Sequence, residues 1–344
     1  MVDVTVMGAG AFGLSVAWAC QKRGARVRVI DPNGVAGGAS GGLVGALAPH
    51  TPENWNNKKA FQFESLIMAE DFWAEVEAVG GQPSGYGRSG RLQPIADQRA
   101  LALAEARAES AKTLWQGKAQ WRVISAESAG EWAPASPTGL LIHDTLTARM
   151  HPRQACNALA AALRAKGVEI VTEGPAQGRV IWATGWQGLC DLSERLGRTV
   201  GNGVKGQAAL FKLDRRDQPQ LFADGLHIVP HADGTVAVGS TSEREFGDAT
   251  ATDALLDDVI ERAKRALPEL TAAPILERWA GVRPRAKSRA PMLGEHPVLK
   301  GSFIANGGFK IGFGMAPKVG QVMADLVLEG RDEIPTDFRP EASL

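Results

Sequence analysis

The sequence predicts an α/β fold in which a parallel-sheet nucleotide-binding domain is interleaved with an α+β domain on a mainly antiparallel sheet. Three observations carry this. The apolar run Val2 to Met7 reads as a buried strand, followed at once by the glycine turn Gly8-Ala9-Gly10-Ala11-Phe12-Gly13, a helical stretch to about Arg23, and a second strand Val27 to Ile30 closing on Asp31. Helix and strand patterns of the same kind return near 152–185 and again near 302–328. Between them lie blocks of alternating strands, including Leu226 to Pro230 and Thr235 to Gly239 joined by the hairpin turn Ala232-Asp233-Gly234.

The first segment is a Rossmann-like fingerprint. Gly8 permits the tight turn, Gly10 lets the backbone approach a pyrophosphate, and Gly13 lets helix and strand pack closely. The free N–H groups from Ala9 to Gly13, at the positive end of the helix dipole, stabilise phosphate charge without a lysine. Asp31 stands where a carboxylate accepts hydrogen bonds from the ribose diol of an adenosine, which implies an unmodified 2′-hydroxyl.

The chain has 344 residues, enough for two sizeable cores. Lys plus Arg and Asp plus Glu both total 38, so the zero net charge supplies no general attraction to nucleic acid or anionic lipid. Cys20, Cys156 and Cys190 follow no metal-ligand or redox spacing, so reduced thiols, a cytoplasmic protein and no metal are expected. No apolar run approaches the roughly 20 residues that span a bilayer, and the three glycines interrupting the apolar N-terminus argue against a signal peptide.

Further along, the pattern predicts helices at about Asn57 to Val79, Asp97 to Leu114, Ser125 to Trp132, Pro152 to Lys166, Asp253 to Leu267 and Pro317 to Leu328. Strands are expected at Arg88 to Ile95, Val168 to Val171, Arg179 to Trp182, Lys205 to Lys212 and Ser302 to Ala305. The helix between Leu101 and Ala111 reads as a plain surface helix. The expected division assigns 1–83, 145–197 and 278–344 to the nucleotide domain, and 84–144 and 198–277 to a substrate domain whose strands share one sheet.

With these pieces in place, the chain resembles the D-amino-acid oxidase and glycine oxidase family of flavoenzymes along nearly its whole length. The resemblance rests on the N-terminal turn with Asp31; Gly38-Ala39-Ser40-Gly41-Gly42 followed by Gly45-Ala46-Leu47; Ala183-Thr184-Gly185; Ile228-Val229-Pro230 with Val238-Gly239-Ser240-Thr241; and Trp279-Ala280-Gly281-Val282-Arg283-Pro284 with Asn306-Gly307-Gly308-Phe309-Lys310. It implies a nucleotide domain of the glutathione-reductase type holding FAD non-covalently. Ala39 and Ser40 would lie by the diphosphate and ribityl chain, Gly45, Ala46 and Leu47 beside the isoalloxazine, and Val171 and Ala183 to Gly185 along the cofactor. Gly307, Gly308, Phe309 and Lys310 would bring amides toward the flavin pyrimidine edge, where negative charge develops on reduction.

The resemblance also implies a reaction: hydride transfer from the carbon next to a neutral amine to flavin N5, then hydrolysis of the imine, with dioxygen or another acceptor taking the electrons. Arg283 occupies the family's carboxylate-clamp position, where a planar guanidinium suits bidentate binding. Lys310 stands as in the Gly-Phe-Lys of monomeric sarcosine oxidases, also facing the carboxylate. His50 lies near the flavin in this alignment, to bond a flavin edge, contact substrate or cap a turn; His231, beside the hairpin, reads as structural. Trp55, Trp186 and Trp279 are candidates to line an apolar pocket. The single tyrosine, Tyr86, departs from the active-site tyrosines of the animal and yeast D-amino-acid oxidases.

The motifs around Ala39 and Ala46 also resemble the FAD domain of the enzyme that trims a carboxymethylaminomethyl group on tRNA wobble uridine, although this chain carries no methyltransferase domain and no net positive charge. Glycine, sarcosine, a D-amino acid, a cyclic imino acid or a 2-hydroxy acid all suit a single carboxylate clamp. A flavin-bearing protein without turnover is a third reading, and the composition is compatible with a homo-oligomer.

Overall fold

The computed structural model describes residues 2–344 and builds two sheets around the N-terminal turn. Strand β1 (Val4–Met7) leads through the glycine turn into α1 (Ala11–Lys22) and back to β2 (Val27–Ile30). A glycine-rich connection follows, ending in the short strand β3 (Gly45–Leu47) and the long helix α2 (Asn57–Gly80). The chain then crosses to the second layer with β4 (Arg91–Pro94), α3 (Gln98–Leu114), β5 (Trp121–Ser125) and β6 (Leu140–Asp144). It returns through β7 (Ala148–Met150), α4 (Pro152–Ala165), β8 (Glu169–Val171), β9 (Arg179–Trp182) and α5 (Gly185–Leu196). A second crossing contributes β10 (Gly201–Phe211), β11 (Gln220–Ala223), β12 (Leu226–Pro230), β13 (Val236–Gly239), α6 (Ala254–Ala266) and β14 (Ile275–Ala286). The chain ends with β15 (Met292–Glu295), β16 (Phe303–Asn306) and α7 (Gly312–Ala324).

The first sheet has the order β15-β16-β9-β1-β2-β8. It is parallel from β16 to β8, with β15 antiparallel at one edge. Its strands are apolar on both faces because helices cover them: Val4, Val6, Val29 and Ile181 are fully enclosed with Leu14, Trp18, Trp73, Leu159, Val319 and Met323 from α1, α2, α4 and α7. Burying each such leucine or valine contributes roughly 1.5–3 kcal/mol, so the sheet that carries the glycine turn is firmly held by the helices on its faces.

The second sheet has the order β14-β10-β13-β12-β11-β4-β6-β5. Every pairing in it is antiparallel except that of β11 with β4. Alternation divides its faces. One carries Ala209, Phe211, Ile228, Val236 and Val238 against Leu256, Val259, Ile260 and Ala263 of α6. The other, with Ala208, Leu210 and Ala237, packs on Leu43 and Val44 of the glycine-rich connection, and so faces the nucleotide layer.

Several elements differ from the sequence reading. Helix α7 begins at Gly312, five residues before Pro317, which lies inside the helix; reading the proline as a first helical residue misplaced the start. Residues 126–132 form a 3-10 turn rather than an α-helix. Ala104 and Ala111, two turns apart on α3, are buried, so this is not a plain surface helix. Strand β14 lies wholly in the second sheet, so a boundary at 278 cuts through a strand. Among the described residues no helix is long and apolar enough to cross a membrane.

At the far end of the second sheet Arg91 is buried against Asp144, Nε to Oδ2 3.0 Å, and Asp144 Oδ1 also accepts from the Thr147 amide at 2.8 Å. Removing one partner of a buried pair leaves an uncompensated charge at a cost of about 3–5 kcal/mol. Asp144→Ala is therefore expected to lower the midpoint of thermal unfolding by several degrees, measured by circular dichroism; an unchanged midpoint refutes the assignment of this pair as a stabilising contact.

Candidate active site

The nucleotide end is built by the β1–α1 turn. Gly8 has φ +118°, and a Cβ there would meet the Ala183 carbonyl oxygen at 2.3 Å, so only glycine fits between β1 and the end of β9. Gly13 lies as close to the turn itself: its Cβ would stand 1.9 Å from the Gly8 carbonyl oxygen. At Gly10, by contrast, the nearest atom is the Ser40 Oγ at 3.0 Å. Helix α1 has no acidic residue in its first turn and no side-chain cap from Gly10, which leaves its N-terminal amides directed at the space beside Ser40. The Ala11 amide donates to Ser40 Oγ at 3.0 Å.

Asp31 is held at the tip of β2. Its Oδ2 accepts from the Ala9 amide at 2.7 Å and its Oδ1 from the Asn33 amide at 2.9 Å, while the Asp31 amide donates to the Val171 carbonyl. Each oxygen keeps a lone pair for a diol. Thr184 precedes α5, and the Gly185 carbonyl accepts from Asn306 Nδ2 at 2.8 Å, tying the end of β9 to the end of β16. A helix terminus with no acidic cap and only the Ser40 hydroxyl on its first amide, a glycine backbone at Gly10 and an acid at the end of the second strand are together a good fit to an adenine dinucleotide such as FAD.

Gly45, Ala46 and Leu47 form β3, paired antiparallel with β7. A Cβ on Gly45 would fall 1.9 Å from the Met150 carbonyl oxygen, so this glycine is needed for strand packing whatever lies on the other side. His50 follows. Its backbone amide donates to Gln62 Oε1 at 2.7 Å and its Nδ1 bonds the same oxygen, while Gln62 Nε2 donates to the Ala48 carbonyl. The ring orientation is thereby set by α2, and burial lowers the imidazole pKa, favouring the neutral form.

The second sheet supplies the cations. Arg283, on β14 opposite Val204, extends over Gly206, where a Cβ would meet Nη2 at 2.4 Å. Its Nη1 donates to Ser240 Oγ at 2.8 Å, and Nη2 donates to the Lys205 and Thr241 carbonyls at 3.1 and 2.7 Å. Burial lowers the guanidinium to about 10, still protonated at neutral pH. The Phe309 ring lies beneath it, with Arg283 and Arg285 Cζ both 5.6 Å from the ring centroid and Lys310 Nζ 5.8 Å away. Lys310, at the exposed rim, is held below its ordinary pKa by partial desolvation and then by Arg283 and Arg285. Gly307 (φ +77°) and Gly308 are buried beside this cluster, and a Cβ on Gly308 would meet the Phe12 ring at 2.8 Å. That contact joins the cation cluster to the start of α1.

The structure thus brings Arg283, Lys310, Phe309, Gly307 and Gly308 together. Trp279 lies on the same face, its indole over Gly281 and against Gly42. Trp186 packs on Gly203 and Phe246, and Trp55 on Phe63, so neither joins the cluster. Sequence reasoning missed His227. This residue of β12 shares the sheet face of Arg283; its Nδ1 is buried without a partner, and burial, Arg91 and Lys310 push its pKa down to about 3. The signal was present in the alternation, since Leu226 and Ile228 point to α6 and His227 must point the other way.

Comparison with known proteins agrees with this geometry. Glycine oxidase from Geobacillus kaustophilus is 25% identical over 384 aligned residues, covering 98% of this chain and 95% of the relative. The crystal structure of that enzyme superposes with a TM-score of 0.84 at 21% identity over 98% of both chains. The structure of iminodiacetate oxidase from Chelativorans sp. BNC1 gives a TM-score of 0.83 at 22% identity, again over 98% of both. The family model described as FAD dependent oxidoreductase matches residues 3–326, and the chain belongs to that family.

Proposed function

We propose that this protein oxidises the C–N bond of a small amino acid or secondary amine, with Arg283 and Lys310 holding the substrate carboxylate. One observation carries the reading: Arg283, Arg285 and Lys310 converge on the Phe309 ring, and none of the three makes an ion pair with a carboxylate among the described residues. Clustered cations without an anion are costly unless an anionic ligand completes them. The glycine oxidase relatives support a substrate of this class.

FAD, when bound, supplies the hydride acceptor. The protein's part is positioning. Ser240 and the Lys205 and Thr241 carbonyls fix the Arg283 fork before substrate arrives, so little ordering is left for the binding step. Gly307 and Gly308 let the backbone pack against Ala286 and Phe12 beside the cation cluster, and His50, held by Gln62, presents a neutral ring just after β3.

An anaerobic titration of the FAD-loaded protein with glycine, N-methyl amino acids, D- and L-amino acids and 2-hydroxy acids tests the reading. Bleaching of the flavin band by one amino-acid class is the expected result. A flavin reduced by dithionite but by none of these compounds overturns it. Repeating the productive reaction in air identifies whether dioxygen is the acceptor.

A further inference from the structure

Where the two layers meet, away from the cation cluster, His151, His231 and Asp233 bring together one donor atom each, all within 4.8 Å of one another. Among the described residues this is the one place where three such groups converge. We propose that it is a binding site for a divalent transition-metal ion of the zinc type, which clasps the nucleotide layer to the substrate layer.

The donor set suits such an ion. His231 is fully enclosed and His151 is 7% exposed, and the His231 Nε2 and His151 Nδ1 are both buried without any hydrogen-bond partner. The bonding assigns the tautomer of His231. Thr235 spends its one hydroxyl proton on Asp233 Oδ1 at 2.7 Å, so at 3.1 Å from His231 Nδ1 it accepts, and the proton sits on Nδ1. The Nε2 lone pair then has no hydrogen-bond donor, with the Leu43 backbone beside the ring. A buried imidazole nitrogen left in this way is costly, and a metal ion removes that cost. Thr235, which accepts from His231 Nδ1, takes the outer-shell place that orients a metal-bound imidazole, while Asp233 serves as a ligand.

Burial and neighbouring positive charge keep both imidazoles neutral, as ligation requires. The groups facing the site are Arg149 and Arg153 on one side and Asp233 and Glu277 on the other, so the local charges offset and the ion adds to a balanced environment. In a tetrahedral zinc site with bonds of roughly 2.0–2.1 Å, neighbouring donors stand about 3.4 Å apart. The three donors already lie within 4.8 Å of one another, so closing onto the ion needs a shift of about 1.4 Å at most. Water fills the fourth position.

The ligands come from different layers. His151 precedes the first turn of α4, while His231 and Asp233 belong to the β12–β13 hairpin. That same turn of α4 already crosses the boundary through Arg153 to Glu277 at 2.8 Å and Gln154 to Asp233 at 2.9 Å. A bound ion would make this contact the tightest link between the two layers.

The test is zinc titration of the chelator-treated, FAD-loaded protein, with bound metal counted by elemental analysis after dialysis and stability followed by thermal unfolding. The wild type is expected to retain about one equivalent and to unfold several degrees higher at saturating zinc, since a ligand at a hundred times its Kd adds roughly 2.7 kcal/mol. His231→Gln and Asp233→Asn are each expected to abolish both effects. Asp233 is exposed, so its asparagine variant keeps the comparison valid should His231→Gln fail to fold. No zinc retained by the wild type, or equal retention by Asp233→Asn, overturns the proposal.

Discussion

Arg283→Ala is expected to reduce kcat/KM for the amino-acid substrate by roughly 10–10²-fold, mainly through KM. Both Nη2 protons and one Nη1 proton are already given to the Lys205 and Thr241 carbonyls and Ser240 Oγ, so the magnitude follows from the one Nη1 proton left for a carboxylate, a charge-assisted bond worth about 1.5–3 kcal/mol at about 1.4 kcal/mol per factor of ten. Arg283→Lys should recover little of the loss. Its ammonium keeps the charge but not the fork, and it cannot span the Ser240 hydroxyl and the Lys205 and Thr241 carbonyls that position the guanidinium. The measurement is steady-state kinetics alongside flavin content and thermal midpoint. A normal flavin spectrum with a raised KM locates the defect at the substrate, whereas a KM within about threefold of wild type removes Arg283 from the carboxylate site.

Lys310 should behave differently. It sits at the rim, bears a single point charge, and is already held below its ordinary pKa by the two arginines beside it. Its contribution is therefore long-range attraction more than geometry, which is screened by salt. On the proposed reading the two cations divide the work: the buried fork would set orientation, and the rim lysine would draw the anion in.

How much of this was legible in the sequence depends on how local the cause was. β1, β9 and β12 are bounded by glycine, aspartate or proline and filled by apolar or alternating residues, and each appears where the pattern places it. The elements not foreseen are those whose reason lies far away in the chain. β6 is sandwiched between β4 and β5, and its pairing is decided by partners rather than by its own residues. His227 becomes interesting only when Lys310, more than eighty positions later, is folded beside it. The same holds for His231: read alone it is an ordinary hairpin histidine, and only the fold brings the His151 ring from the other layer to 4.6 Å, each imidazole with one buried nitrogen lacking a partner.

Two glycines of the N-terminal turn separate cofactor binding from folding. Gly13→Ala is expected to yield a colourless, destabilised protein, because its Cβ would fall 1.9 Å from the Gly8 carbonyl oxygen. Relief requires α1 to withdraw from β1, at the centre of the first sheet, a backbone shift costing about 1–3 kcal/mol or more. Gly10→Ala meets only the Ser40 side chain, with Oγ at 3.0 Å. The hydroxyl can rotate away at the loss of one bond from the Ala11 amide, worth about 1 kcal/mol, so the apoprotein should fold with a midpoint only slightly below that of wild type. What the new methyl removes is the close approach of the backbone to the pyrophosphate. Losing even one charge-assisted bond there predicts a ten- to roughly hundredfold weaker FAD complex. Fluorescence titration of both apoproteins with FAD, paired with thermal unfolding, checks the two claims separately. If Gly10→Ala binds FAD as tightly as wild type, the cofactor does not run through this turn as the fold implies. If Gly13→Ala is as stable as wild type, the contact between helix and turn is looser than the structure shows. The expected contrast, one variant losing only its cofactor and the other losing both, follows from a single difference: at Gly13 the obstacle is backbone, and at Gly10 it is a side chain free to move.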